Sequence, residues 1–427
     1  MVRKRSRSLA SELMKHDELN PVSLMGFYRR YGRHILRGLA IVYLAFPAVF
    51  FYSLRFRQIM IFGAFLTWPF HDYTKPNEYG LPHSKNFYVN SVGDIRLGVW
   101  YIPPKGIWEK LSSQNSGREP QPWMLDDNRP VIIYYHGHGQ CRACDYRVGL
   151  YKTLTQSEEL DAHLFTFDYR GFGDSTQVLP DREGLLHDST VMFDYVRKLI
   201  KKNDSRILVW GHSLGTGVAV QLIEAFTELH RSPMGVVLEA PFNSLSEAAS
   251  KWPISMPYRA LPFMQKVVES VTNKLRDDDE TFYETEQLAP SVNVPLLMIH
   301  STDDALVPYE LGQKLLRTLR VLAKGPIHFY QADDSYSLGH RYIFRDPKVK
   351  EVVADFIRRY GNVSMPAPKE SAGRLEESSA SGMRDAEPSA NIEDGADSAT
   401  VGDEGFETSE GAPGKSIESH DIPGDEL

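Results

Sequence analysis

The stretch Arg206-Ile-Leu-Val-Trp-Gly-His-Ser-Leu-Gly-Thr-Gly217 decides how the rest of the chain is interpreted. Residues 207–210 are apolar and predict a strand, and a helical run follows at about 218–229. A strand and a helix joined by G-x-S-x-G are typical of a nucleophile elbow, whose central serine, here Ser213, has a strained backbone. Glycines two residues before and after the serine let the strand and the helix pass without a clash. The alternative is an incidental glycine-rich turn, but the flanking strand and amphipathic helix favour the elbow.

Short apolar segments and helical segments alternate on both sides of this stretch. Such alternation predicts an α/β fold, here a mostly parallel eight-stranded sheet with helices on both faces and right-handed crossovers. Besides the strand of the elbow, strands are predicted at 86–91, 94–102, 131–135, 163–167, 235–239, 295–300 and 327–331. Besides the helix of the elbow, helices are predicted at 145–156, 181–202, 309–322 and 347–360.

Two segments interrupt the alternation. Residues 106–128 are polar and contain proline, which predicts a surface loop. Residues 240–294 are rich in proline, aromatic residues and methionine and carry an acidic run at 277–280. They predict a helical insert after the sixth strand, above the site. We therefore expect one catalytic domain at 71–365, with a cap insert at about 241–294.

The N-terminal part of the chain is basic and then apolar. The first 37 residues carry nine basic side chains against three acidic ones, and about 17 uncharged residues follow at 38–54, with Pro47 among them. We interpret 1–37 as a basic cytosolic N-terminus and 38–70 as one transmembrane helix followed by an interfacial segment. The catalytic domain then lies across the membrane. A buried helix of a soluble protein is the alternative, and a signal peptide is disfavoured because the basic region is too long.

Charge and cysteine content restrict the function classes. The net charge is −8, but about 16 acidic and 4 basic residues lie at 366–427, so the acidity belongs to the tail. That tail has almost no aromatic residues and is predicted to be disordered. The folded part has no basic stripe that would suggest nucleic-acid binding. Two cysteines in the whole chain imply no disulfide framework.

A serine hydroxyl becomes a nucleophile at neutral pH only with a base beside it and a carboxylate that orients the base. In folds of this type the three residues follow in the order serine, acid, histidine. His340, on the loop after the last predicted strand, is the expected base, and His328 within that strand is the second choice. Asp303 and Asp304 both follow the strand at 295–300, and Asp304 is the preferred acid.

Acyl transfer also needs two backbone amides aimed at the developing oxyanion. The Leu214 amide directly follows the serine, at the start of a helix. The loop His136-Gly-His-Gly139 follows the strand at 131–135, and its His138 amide is expected to be the second donor. A glycine turn that only reverses the chain is the alternative.

Three further patterns are interpreted as structural. Cys141 and Cys144 resemble a redox pair, but their context is not thioredoxin-like, and a zinc site would need two further ligands. His163 and Asp168 have an H-x4-D spacing, but the strand between them places the two side chains on opposite faces. Asp168 and Arg170 are expected to tie the loop after the fourth strand into the fold. No metal or organic cofactor is expected.

Three motifs together resemble the α/β-hydrolase domain-containing protein 12 family of membrane-anchored lysophosphatidylserine and monoacylglycerol lipases. They are Asp168-Tyr-Arg-Gly-Phe-Gly-Asp-Ser175, Trp210-Gly-His-Ser-Leu-Gly-Thr-Gly217 and Gly339-His-Arg-Tyr-Ile-Phe344. The resemblance covers roughly 31–360 and implies an α/β-hydrolase fold with Ser213, Asp304 and His340 as its catalytic residues. The chain departs from that family in reading His-Gly-His-Gly where relatives more often show His-Gly-Asn, and in its acidic tail.

The resemblance implies a membrane-anchored serine hydrolase that cleaves the acyl ester of a single-chain lipid, either a lysophospholipid or a monoacylglycerol. A protein depalmitoylase or other thioesterase would use the same residues, and a non-catalytic membrane scaffold would keep the same fold. Gly424-Asp-Glu-Leu427 is one residue away from the Lys/His-Asp-Glu-Leu retrieval signal. We therefore expect the endoplasmic reticulum membrane, a lumenal catalytic domain and a lumenal retrieval receptor as a partner. An acidic tail that ends in these residues by chance is the alternative. The sequons at Asn203 and Asn362 are compatible with this topology.

Overall fold

The computed structural model describes residues 21–66, 71–113, 125–276, 283–332 and 334–367. Several sequence-based predictions therefore lie wholly or partly outside the described residues. These are the first 20 residues of the basic N-terminus, the end of the interfacial segment at 67–70, the acidic run at 277–280, and the tail from 368 onwards with its retrieval signal.

Eight strands form one sheet in the order β1-β2-β4-β3-β5-β6-β7-β8. Strands β1 and β2 form an antiparallel hairpin, β2 is antiparallel to β4, and the remaining pairs are parallel. The predicted mostly parallel, eight-stranded sheet is confirmed. The strands are β1 (Lys85–Asn90), β2 (Arg96–Ile102), β3 (Val131–Tyr135), β4 (His163–Phe167), β5 (Ile207–His212), β6 (Gly235–Glu239), β7 (Leu296–Ser301) and β8 (Ile327–Ala332).

Helices cover both faces of the sheet, so every residue of the five central strands β3 to β7 is buried. The helices are α1 (Pro21–Tyr52), α2 (Leu54–Phe62), α3 (Lys105–Ser113), α4 (Asp145–Gln156), α5 (Arg182–Leu199), α6 (Leu214–Leu229), α7 (Leu245–Lys251), α8 (Met256–Arg259), α9 (Pro262–Arg276), α10 (Tyr309–Leu322) and α11 (Pro347–Tyr360). Side chains of α5, α6 and α10 pack on one face, and side chains of α4 and α11 pack on the other. Successive strand residues alternate between the faces, so that Val209 faces α6 and Trp210 faces α4.

The structure corrects one predicted loop and the start of one predicted helix. The predicted surface loop at 106–128 begins instead with α3, because Ile107, Trp108 and Leu111 recur at helical spacing. Helix α6 begins at Leu214, directly after the serine, although Gly215 and Gly217 are poor helix formers. A Cβ atom on Gly215 would lie 2.1 Å from the Tyr135 carbonyl oxygen, so close packing against β3 requires the glycine.

Helix α1 is the described helix that is long and apolar enough to cross a membrane, over Arg30–Tyr52. Only 11% of the most apolar 18-residue stretch of this helix is buried against the rest of the protein. The helix, at Pro21–Tyr52, is longer than the predicted apolar segment and includes part of the basic one. The buried Arg57 guanidinium of α2 donates hydrogen bonds to the Phe50 and Phe51 carbonyls, at 3.0 and 2.7 Å. Because those carbonyls belong to the last turn of α1, Arg57 closes the end of that helix.

The interval between β6 and β7 contains the short helices α7 and α8 and the longer helix α9. Helix α9 packs against α7, α8 and α1. This group of helices, which follows the carboxyl end of β6, is called the cap below.

Candidate active site

Ser213 lies between β5 and α6 with φ 54° and ψ −121°, a strained conformation for a residue with a side chain. Its amide donates a hydrogen bond to the Glu239 carbonyl at 2.9 Å, and its carbonyl accepts from the Thr216 amide at 2.8 Å and the Thr216 hydroxyl at 2.6 Å. A Cβ atom on Gly211 would lie 2.4 Å from the Gly215 carbonyl oxygen, so the turn accepts only glycine there. These contacts hold the serine at the N-terminus of α6.

His340 connects Ser213 to Asp304. Its Nε2 lies 2.8 Å from Ser213 Oγ, and its Nδ1 lies 2.7 Å from Asp304 Oδ2. The arrangement requires Nδ1–H to donate to the carboxylate, which leaves Nε2 free to accept the serine proton. The structure thus brings together the three residues that the sequence pattern predicted, in the geometry of a serine–histidine–acid triad.

Asp304 is buried, and all its polar contacts fix its orientation. Its Oδ1 accepts hydrogen bonds from the Leu306 and Val307 amides, each at 2.9 Å, and His300 Nε2 lies 3.3 Å from Oδ2. Burial alone would raise the pKa of Asp304, but the charge of His340 and the hydrogen bonds from His300 and His340 outweigh it. They hold the pKa well below the usual carboxyl range, so Asp304 is ionised at neutral pH.

The two residues that the sequence left as alternatives lie apart from Ser213. Asp303 Oδ1 accepts a hydrogen bond from the Gly339 amide at 2.8 Å and another from the Ser301 hydroxyl. Asp303 therefore holds the loop that carries His340, without contacting the imidazole itself. His328 Nε2 lies 2.6 Å from the Tyr360 hydroxyl and packs against Phe356, so it has a structural role.

The loop His136–Gly139 after β3 lies beside the serine. A Cβ atom on Gly137 would stand 2.9 Å from Ser213 Cβ, and no residue of the described ranges accepts a hydrogen bond from the His138 amide. The buried Arg147 guanidinium holds this loop and the turn that follows it, because it donates hydrogen bonds to the Gly137, Gly139 and Cys141 carbonyls at 3.1, 2.9 and 2.7 Å.

Helix α2 also holds this loop. The Gly139 amide donates to the Phe62 carbonyl at 2.9 Å, and His138 Nε2 lies 3.1 Å from the Met60 carbonyl. Burial lowers the pKa of His138, so the neutral imidazole donates this hydrogen bond through Nε2–H. His138 thus joins the loop to the segment that follows α1.

A cavity of about 420 Å³ opens at Ser213 and His340. Its polar lining residues include Gln140, Tyr146 and Arg341. Its apolar lining residues include Met60, Phe65, Trp252, Pro253 and Ile254. The cavity beside the serine is therefore amphipathic.

Two residues around the site were missed by sequence reasoning. His212 Nε2 lies 2.9 Å from the His340 carbonyl, and burial holds the pKa of His212 well below its usual value, so that His212 is neutral. Arg147 lies in α4, where its spacing does not distinguish it from a solvent-exposed charge. Only its position among the loop carbonyls indicates its role.

The patterns interpreted as structural are found away from Ser213. His163 lies against Tyr101 and Asp127, whereas Asp168 binds the Arg142 amide and guanidinium on the other side of β4. The two side chains thus point to opposite faces, as predicted. Arg170 pairs with Asp188 at 2.8 Å and ties the loop after β4 to α5.

The sulfur atoms of Cys141 and Cys144 are 3.9 Å apart, and His71 is the one further residue of the described ranges that joins them in a group of metal-ligand type. Structural zinc sites have four ligands, so this group is one ligand short.

Comparisons with known proteins identify the family of the chain. The family model described as serine aminopeptidase, S33, matches residues 126–284. Lysophosphatidylserine lipase ABHD12 of Xenopus tropicalis is 32% identical over 356 residues, which cover 80% of this chain and 88% of that protein. Protein ABHD12B of Homo sapiens is 29% identical over 305 residues, 71% of this chain and 80% of that protein. The crystal structure of an alpha-beta hydrolase from Vibrio vulnificus matches with a TM-score of 0.51 and 17% identity, over 70% of this chain and 92% of that one.

Proposed function

Because this chain belongs to the α/β-hydrolase family of lysophosphatidylserine lipase ABHD12, a family of ester hydrolases, we propose that it is a membrane-anchored serine lipase. Its substrate is the acyl ester of a single-chain lipid, foremost lysophosphatidylserine. The observation that carries the proposal is the hydrogen-bonded series Ser213, His340 and Asp304, with distances of 2.8 and 2.7 Å, on a strained serine.

The reaction follows from the geometry. Ser213 Oγ attacks the acyl carbonyl carbon while His340 Nε2 accepts the hydroxyl proton, and Asp304 stabilises the imidazolium that forms. The Leu214 and His138 amides hold the oxyanion of the tetrahedral intermediate. His340 then returns the proton to the departing glycerol oxygen. A water molecule, deprotonated by His340, cleaves the acyl-serine ester and releases the fatty acid and the free hydroxyl of Ser213.

A cation in the lining of the cavity favours an anionic head group. Arg341 is exposed and stacks over Tyr146, with Cζ 5.4 Å from the ring centroid. Among the described residues no carboxylate lies within 4.0 Å of this guanidinium, so its donors are open to a ligand. A guanidinium binds phosphate and carboxylate through paired hydrogen bonds. Lysophosphatidylserine has both groups, whereas monoacylglycerol has neither.

The first test compares purified, detergent-solubilised wild type with Ser213→Ala on a substrate panel. The panel holds lysophosphatidylserine, monoacylglycerol, a diacyl phospholipid and a palmitoyl thioester. We expect serine-dependent release of fatty acid from the single-chain esters, and fluorophosphonate labelling of wild type but not of Ser213→Ala. Turnover of the thioester alone would identify a depalmitoylase. Folded wild type that neither labels nor hydrolyses any substrate would favour the scaffold alternative.

A second test addresses the head group with a matched pair of variants. Arg341→Met should lower kcat/KM for lysophosphatidylserine by about 10- to 100-fold, the value of one charge-assisted hydrogen-bonded contact. It should change kcat/KM for monoacylglycerol by less than about twofold. Arg345→Met is the control, because Arg345 is an exposed arginine of the same loop that stacks on Tyr342 and does not line the cavity. Equal losses on both substrates would refute head-group binding by Arg341.

The same proposal includes a location. Helix α1 anchors the chain in the endoplasmic reticulum membrane, with the N-terminus cytosolic and the catalytic domain lumenal. The proposal is supported by the length and apolarity of Arg30–Tyr52 and by the basic residues that precede it.

A further inference from the structure

A second cavity lies between α1, α2 and the cap. It is smaller than the first, about 60 Å³, and its lining is almost wholly apolar. Helix α1 contributes Phe46 and Phe50 to this lining, α2 contributes Met60, and α9 contributes Val268 and Val271. A lipid tail that entered this space would leave water and contact apolar side chains, which is favourable.

The apolar cavity adjoins the cavity at the serine, because Met60, Trp252 and Ile254 line both of them. These three side chains are therefore the boundary that an acyl chain crosses between an ester carbonyl at Ser213 and the apolar cavity.

The cap is joined to α1 by a pair of tyrosines. The rings of Tyr43 and Tyr258 stack with centroids 4.4 Å apart and an interplanar angle of 9°. The Tyr258 hydroxyl donates to the Tyr43 carbonyl at 2.8 Å, and the Tyr43 hydroxyl donates to the Pro257 carbonyl at 3.2 Å. These contacts keep one side of α1 against the cap, while Leu39, Val42 and Leu44 on other sides of the helix stay exposed to the surroundings.

We propose that the apolar cavity is the acyl-chain site and that the membrane helix α1 forms one of its walls. This inference rests on the proposed function and deepens it, because it names the part of the chain that recognises the lipid tail. A chain held there lies against a helix whose other sides face lipid, so the tail passes from the bilayer to the serine along α1. Chain-length preference is then a property of the anchor and the cap together.

The size of the effect follows from the burial of methylene groups. Each methylene group of the acyl chain that is no longer buried in an apolar site lowers kcat/KM by about fourfold. A side chain that excludes three methylenes should therefore lower kcat/KM by about 60-fold for long chains, and should leave chains too short to reach the cavity unaffected.

The test is a chain-length series of lysophosphatidylserine, from 6 to 18 acyl carbons, with the full chain in detergent. Val271→Trp fills the cavity, and Gln265→Trp on the exposed side of the same helix is its control. The readout is the ratio of kcat/KM for the 18-carbon to the 6-carbon substrate within one preparation, which does not depend on the folded fraction. We expect the ratio to fall at least tenfold in Val271→Trp and to stay within twofold of wild type in Gln265→Trp.

A second pair of variants tests the wall that α1 forms. Phe46→Ala enlarges the cavity from the side of the membrane helix, and Leu44→Ala removes an exposed side chain two residues away. Phe46→Ala should shift the preferred chain length upwards by two or more carbons, and Leu44→Ala should not. Unchanged ratios in both Val271→Trp and Phe46→Ala would overturn the assignment of the cavity.

Binding separates this inference from the proposed function. A fluorescent single-chain fatty acid is titrated into Ser213→Ala and into the double variant with Val271→Trp. Weaker binding to the double variant supports the acyl-chain site even if wild type hydrolyses none of the esters. Equal binding to both proteins overturns it, whatever the activity of wild type.

Discussion

Replacement of Asp304 by asparagine tests whether one ionised carboxylate sets the tautomer of His340, the proposed catalytic base. Aspartate and asparagine side chains have the same shape. The Leu306 and Val307 backbone amides, which donate to Oδ1 in the wild type, therefore determine which end of the asparagine side chain faces them. If its NH2 group faced those amides, two buried donors would lose their acceptor, at a cost of about 2 to 6 kcal/mol. The NH2 group must therefore face His340.

That orientation reverses the tautomer of the histidine. His340 Nδ1, now 2.7 Å from an N–H donor instead of a carboxylate, must accept a hydrogen bond, so the ring proton moves to Nε2. A protonated Nε2 cannot accept the proton of Ser213. The charge that stabilises the imidazolium is lost at the same time. We expect kcat to fall by about 10³ to 10⁴, or about 4 to 5 kcal/mol of transition-state stabilisation.

The assay is hydrolysis of lysophosphatidylserine by purified Asp304→Asn, with thermal unfolding to show that the fold is kept. Asp303→Asn is the matched control, because Asp303 binds the Gly339 amide and the Ser301 hydroxyl, which asparagine can also do through its oxygen. It should lose less than about tenfold. A loss below tenfold in Asp304→Asn, or a larger loss in Asp303→Asn, would refute the assignment of Asp304 as the triad acid.

Three further predictions concern the oxyanion loop, the sheet and the topology. Arg147→Lys keeps the charge but loses the forked contact with the Gly137, Gly139 and Cys141 carbonyls. In steady-state assays kcat should fall about 10- to 100-fold on every ester, while KM should stay within threefold of wild type. An unchanged kcat would show that the loop needs no such support. Burial raises the pKa of Glu239 to about 7. Between about pH 4.5 and 7 the unfolded state has released this proton while the folded state still holds it, so the free energy of unfolding should fall by about 3 kcal/mol over that window. Thermal unfolding should show this fall in wild type and not in Glu239→Gln. In sealed microsomes the catalytic domain should resist added protease until detergent is present and should carry glycan at the exposed Asn203 or Asn362; digestion without detergent would contradict the lumenal placement.

The amino-acid sequence by itself determined the sheet, most of the helices, the elbow and the order of the three predicted catalytic residues. Those features depend on local patterns. An apolar run of five residues, a glycine on each side of a serine, and helical spacing of apolar side chains all act between near neighbours. Helices α4, α10 and α11 and strands β3, β4 and β6 begin and end where the pattern predicts.

Only the tertiary structure decided what surrounds the serine. Adjacent carboxylates such as Asp303 and Asp304 look alike in a sequence, because the directions of their side chains depend on which amides the folded loop presents. The attachment of the His138 loop to Met60 joins residues 78 positions apart, and the stacking of Tyr43 on Tyr258 joins residues 215 positions apart. Such contacts arise when packed elements bring distant segments together, and periodicity along the chain carries no information about them. The proposed acyl-chain site is of this kind, since its walls come from helix α1 and the cap, which meet only in the folded protein.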